Sequence, residues 1–138
     1  MRYLLDTNIV SSLYADPHGS AAERAAGCQA AELGTSIIVA AELRYGYIKK
    51  GSKRLERLIE TTLASLAIAS WDEPADLAYA HLRSSLEKSG IKAGQNDLLI
   101  AAQALALDAT LVSDDRIFQR MPQLRVENWL RDQPAELG

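Results

Sequence analysis

Apolar residues fall along this chain in short dense runs separated by longer stretches with helical spacing, and that alternation predicts its elements. RYLL (residues 2–5) reads as a buried strand that stops at the polar triplet Asp6-Thr7-Asn8. The Ala-rich segment from Ser20 to Leu33 predicts a helix closed by Gly34, and TSIIV (35–39) predicts the second strand. AAELRYGYIKK (40–50) then reads as a helix whose last turn is basic, Lys49 and Lys50, before a terminal Gly51. Leu55, Leu58, Ile59, Thr62, Leu63 and Leu66 recur every three or four positions, which predicts an amphipathic helix with Glu56, Arg57 and Glu60 facing outward. LAIAS (66–70) is the third strand, and Asp72 with Pro74 opens a helix that runs to about Ser89 and stops at Gly90. An apolar helix follows from Gln95, Asn96 and Asp97, then the strand TLVS (110–113), a polar turn with Asp114 and Asp115, and a last strand near LRVEN (124–128). Connections too long for hairpins between strands apolar on both faces predict an α/β fold, a mostly parallel sheet of about five strands with helices on each side.

Length adds one constraint: 138 residues make a single domain, 1–138, with enough chain to build its own core. The lone Cys28 forms no internal disulfide, and one cysteine with two histidines cannot build a zinc cage, so a reducing, cytoplasmic setting is expected. No signal peptide is expected, because the N-terminus enters a strand at once. The longest apolar stretch, Leu98 to Leu107, is interrupted by Gln103 and falls short of the ~20 residues of a membrane span. A net charge of −3 supplies no global basic field for nucleic acid, so that case rests on local features.

Those local features are acids. In open parallel sheets, functional groups gather beyond the carboxyl ends of the strands. Here Asp6 follows the first strand, Glu42 lies in the helix after the second, Asp97 opens the helix before the fourth, and Asp114 and Asp115 follow the fourth. Singly, Asp6 suits a helix cap, Asp97 a first helical turn, and Asp114 and Asp115 an ordinary turn. Glu42 differs, because it stands in the apolar stretch SIIVAAEL, where an unpartnered charge is unfavourable. As a set the acids would repel one another and raise each other's pKa unless hard cations such as Mg²⁺ or Mn²⁺ neutralised them. Such ions support phosphodiester hydrolysis by activating water and stabilising the leaving oxygen. Other residues point to ordinary roles. His18 and His81 lack a second ligand at metal spacing, Cys28 suits a small apolar contact, and no glycine-rich phosphate loop is present. Lys49, Lys50, Lys53, Arg54 and Arg57 form a basic run that reads as a solvated face or as a nucleic-acid contact.

LLDTNIVS at the start, VAAELRYG around Glu42, NDLLIAAQAL after Gly94, LVSDD, and LRVENW occur in order across almost the whole chain. In these strings the chain resembles the PIN-domain ribonucleases, and within them the VapC-type toxins of bacterial toxin–antitoxin pairs. The resemblance implies a three-layer α/β/α sandwich, a carboxylate pocket holding Mg²⁺ or Mn²⁺, and endonucleolytic cleavage of RNA. It also implies a homodimer and a cognate antitoxin whose C-terminal segment covers the acidic pocket. By motif, Asp6, Glu42 and Asp97 match the family's metal-binding acids, and Ser113 stands where threonine is commoner. Asp115 matches the fourth acid, with Asp114 as the alternative, and Ile117 stands before Phe118 where the family often carries another acid. Asn8 and Asn96 suit either capping or contact with metal-bound water or phosphate. Three readings stand beside it: a phosphotransfer domain, whose second acid after the first strand is replaced here by Asn8, a PIN-like module that binds RNA or protein without cutting, and a housekeeping PIN nuclease without an antitoxin.

Overall fold

The computed structural model describes residues 1–131. Five strands, β1 (Tyr3–Leu5), β2 (Leu33–Ser36), β3 (Ala67–Ala69), β4 (Thr110–Val112) and β5 (Val126–Glu127), form one sheet in the order β3-β2-β1-β4-β5, every pair parallel. Six helices connect them: α1 (Thr7–Ala15), α2 (Ser20–Ala26), α3 (Ile37–Lys50), α4 (Lys53–Ala64), α5 (Ala75–Lys88) and α6 (Gln95–Leu107). Successive strand residues point to opposite faces, and Leu4 and Leu5 of the central strand are both fully buried, so helices cover both faces. This is the three-layer α/β/α arrangement expected. The chain steps from β1 outward to β2 and β3, then returns to the other side of β1 for β4, which puts the topological switch point at the β1–β4 junction.

One boundary differs from the sequence reading. Helix α2 ends at Ala26, a short 3₁₀ turn spans Ala30–Glu32, and Leu33 and Gly34 belong to β2, whereas Ile37, Ile38 and Val39 open α3. The reason is Ser36, whose hydroxyl accepts the Ile38 N–H at 2.9 Å and so caps a helix inside an apolar run that periodicity alone cannot assign. Gly34 is therefore a close-approach residue, not a helix stop: a Cβ there would meet the Ala67 carbonyl oxygen at 2.8 Å and the Met1 side chain. Glu60, expected to face solvent, instead joins α4 to α3. It accepts two 3.0 Å bonds from the Arg44 guanidinium and one of 2.9 Å from the Tyr47 hydroxyl.

Gln103, the polar break in the apolar stretch, is 1% exposed and has a structural use. Its amide nitrogen donates to the Ala69 and Ser70 carbonyls, both at 3.0 Å, and fastens α6 to the end of β3. Among the described residues no helix is long and apolar enough to cross a membrane.

Candidate active site

Register places the site. Leu5 pairs with Thr35 on one side and Val112 on the other, so Asp6, Ser36 and Ser113 emerge together at the carboxyl edge. Asp6 holds the α1 N-terminus through its backbone carbonyl, which accepts from Ile9 and Val10, but its side chain does not cap. That carboxylate, in a residue only 6% exposed, accepts a 2.7 Å bond from the Ser113 hydroxyl across the switch point. Burial raises the Asp6 pKa; bonds from Ser113 and the Thr7 amide oppose the rise, and the charges of Glu42 and Asp115 add to it.

Glu42 comes from the second turn of α3 and has the partners its apolar surroundings demand. Thr7 donates to one carboxylate oxygen at 3.1 Å and Asn96 to the other at 3.2 Å. Asp97, in the first turn of α6, is part-buried, and its carboxyl lies beneath Gly94, where a Cβ would come within 3.3 Å of it. Its pKa is pushed up to about 6, first by burial and then by the charges of Asp115, Asp6 and Glu42. Asp115 is exposed; its N–H donates to Ser113 Oγ at 3.0 Å, and its carboxylate accepts from the Ile117 amide at 3.1 Å. Asp114 turns elsewhere, accepting from Asn128 at 2.7 Å and from Arg131 at 2.9 Å. Those bonds, Asn128's first, hold its carboxyl below the usual range.

Four acids from four segments thus share one edge and act on one another electrostatically. Among the described residues none of Asp6, Glu42, Asp97 and Asp115 is in an ion pair. Nor, among the same residues, are any three His, Cys, Asp or Glu side chains placed closely enough together to hold a metal ion between them. In chemical type, carboxylate oxygens without a compensating cation suit a hard divalent ion that keeps water or substrate oxygens in its shell. Thiolate and imidazole donors take no part. Cys28 lies away from the acids, its thiol donating to the Arg24 carbonyl at 3.4 Å and pushed up in pKa by burial and then Glu32. His18 and His81 are exposed. The basic run lies at the junction of α3 and α4, where Lys49, Lys50, Lys53, Arg54 and Arg57 are all exposed. Lys50 is eight residues beyond Glu42, about 12 Å farther along the helix axis.

Sequence reasoning passed over Thr7, Asn128 and Arg131. Thr7 sits in the DTN string and is found only once Glu42 is brought beside it; Asn128 and Arg131 reach Asp114 through the closing turn after β5.

Residues 3–124 match the PIN domain family. The chain is 36% identical over 132 residues to Ribonuclease VapC2 of Rickettsia felis, covering 94% of this chain and 98% of that protein. It is 34% identical over 136 residues to Ribonuclease VapC1 of Haemophilus influenzae, covering 95% and 100%. Among solved structures, VapBC2 from Rickettsia felis bound to a promoter DNA fragment superposes with a TM-score of 0.82 at 36% identity, covering 94% of this chain and 99% of that one. VapBC-1 from nontypeable Haemophilus influenzae superposes with a TM-score of 0.83 at 33% identity, covering 95% and 100%. Near-complete coverage in both directions, with the acids on the same strand-end motifs that carried the resemblance, makes this chain a member of the PIN-domain family and, within it, of the VapC ribonucleases.

Proposed function

We propose that the protein is a divalent-metal-dependent endoribonuclease and the toxin of a toxin–antitoxin pair, using Mg²⁺, with Mn²⁺ able to substitute. The observation that carries this reading is the uncompensated acid group at the switch point, with Asp97 raised to about 6 by burial and by three neighbouring carboxylates. Asp6, Asp97 and Asp115 would hold the ion, and Glu42 would complete its shell or orient the attacking water. A bound cation supplies the charge that offsets the carboxylates and the scissile phosphate. The remaining work falls to the protein. Ser113 aims Asp6 by donating to it and opposes the burial that raises its pKa, and Thr7 and Asn96 fix both oxygens of Glu42. Water adds to phosphorus as the P–O ester bond breaks; its proton passes to a carboxylate of the group, and the departing ribose oxygen takes up a proton from solvent, leaving a phosphate monoester and a free hydroxyl.

Family membership supports the ribonuclease reading, and the VapBC complexes among its structural relatives support an antitoxin partner, which in this reading covers the acidic edge. A homodimer in the cytoplasm completes the proposal. The test is cleavage of a mixed RNA pool with Mg²⁺ or Mn²⁺, beside an EDTA control and Asp97→Asn. Discrete cuts that require the metal and vanish in the variant are expected. Protein free of antitoxin that leaves every RNA intact would refute the nuclease reading and favour a module that binds without cutting.

A further inference from the structure

The turn carrying Asp115 is tied down from two directions by groups that neither the sheet nor the helices require. From the β1 side, Asn8 Oδ1 accepts the backbone N–H of Asp114 at 3.1 Å. From the C-terminal side, Asp114 Oδ1 accepts from Asn128 Nδ2 at 2.7 Å and from Arg131 Nε at 2.9 Å. Asn128 also accepts the Leu130 N–H at 2.9 Å, so the segment after β5 is itself folded into a turn. Asp115 is exposed, and the anchored residue beyond it is Phe118, fully buried in the 3₁₀ helix Arg116–Arg120. An exposed turn with little apolar contact takes its order from hydrogen bonds, and bonds to a charged carboxylate are the stronger kind.

We infer that Asn128 and Arg131 form a strap which, through Asp114, positions the Asp115 carboxylate toward Asp6 and Asp97. Asp114 and Arg131 are positioning residues. The strap has a second effect: Arg131 neutralises and turns aside a carboxylate that would otherwise add a fifth negative charge to the group. The inference rests on the metal-site reading above.

Amide hydrogen exchange of the metal-free protein, followed by calorimetric titration with Mn²⁺, tests it on the full chain. Arg131→Ala is expected to speed exchange at the Asp115 and Ile117 amides about tenfold or more while the Leu4 and Leu111 amides keep wild-type rates. It should also weaken Mn²⁺ binding by about three- to tenfold. Arg131→Lys keeps the charge and a donor and should restore most of both effects. Asp114→Ala should reproduce the loss and, combined with Arg131→Ala, add nothing further. Unchanged exchange at Asp115 and Ile117 would overturn the strap, and a loosened turn with wild-type Mn²⁺ affinity would overturn its positioning role. Wild-type protein that binds no Mn²⁺ would overturn the metal reading, and the positioning role with it. Exchange is read without metal, so the two failures are distinct.

Discussion

Among the described residues, Asp97 alone of the four carboxylates accepts no hydrogen bond; Ser113 serves Asp6, Thr7 and Asn96 serve Glu42, and the Ile117 amide serves Asp115. Burial and three like charges therefore act on it unopposed, and its pKa rises from 3.8 to about 6. The folded chain thus holds this proton more tightly than the unfolded chain. Stability from the protonated form is fully present below about pH 4 and is lost as pH rises through about 6. Asp97→Asn, neutral throughout, should stabilise the metal-free protein at pH 7 by about 1 kcal/mol after allowance for solvent screening, and by nothing near pH 4. Thermal unfolding at the two pH values checks this. Ser113→Ala removes the hydroxyl that donates to buried Asp6 and accepts the Asp115 N–H. It is expected to cost about 1–3 kcal/mol in urea unfolding at pH 7, and less in acid, since the bond it removes favours the ionised form of Asp6.

At the scale of elements, the decisive residue is Ser36. Its side chain starts α3 at Ile37 and so brings Glu42 round in the second turn, beside Thr7 and Asn96. Ser36→Ala is expected to cost about 1 kcal/mol of stability, read by urea denaturation, and to slow cleavage because Glu42 loses its register. This boundary also shows where sequence reading ends. The run TSIIVAA is apolar with either period, and only the serine hydroxyl, bonded two residues ahead, decides that the strand stops at Ser36. Elements with strong local signals, such as α4 with its apolar stripe and α5 with its Gly90 stop, were readable to within a residue or two. So were the positions of Asp6 and Asp115 just beyond β1 and β4, because a buried parallel strand ends where polar residues leave the sheet, and those of Glu42 and Asp97 early in α3 and α6. What local sequence could not supply were bonds between distant segments: Asn96 to Glu42 across 54 positions, and Ser113 to Asp6 across 107. The different partners of Asp114 and Asp115 are information of the same kind, since Asn128 and Arg131 reach Asp114 only once β5 folds beside β4.

For the whole molecule, the edge of the sheet is where stability and function oppose each other. Carboxylates from β1, α3, α6 and the β4 turn destabilise one another in the metal-free chain, and a cation that binds the folded state alone recovers that energy by mass action. The proton on Asp97 makes this recovery depend on pH. Below about pH 6 an incoming ion must displace that proton, so each pH unit lost should weaken apparent affinity by up to about tenfold; well above 6 the dependence flattens. The rise in Tm produced by a fixed Mn²⁺ concentration is therefore expected to be small at pH 5, to grow through pH 6 and to level off by pH 7.5. At saturation near 100 times Kd it corresponds to about 2.7 kcal/mol. Asp97→Asn, with no proton to displace, should show a smaller rise that no longer grows through pH 6. Ionic strength separates this from diffuse attraction to a chain of net charge −3, because added KCl weakens a screened surface effect more than coordination by part-buried carboxylates. Equal Mn²⁺ shifts at pH 5 and pH 7.5 in the wild-type protein would show that the ion binds without Asp97.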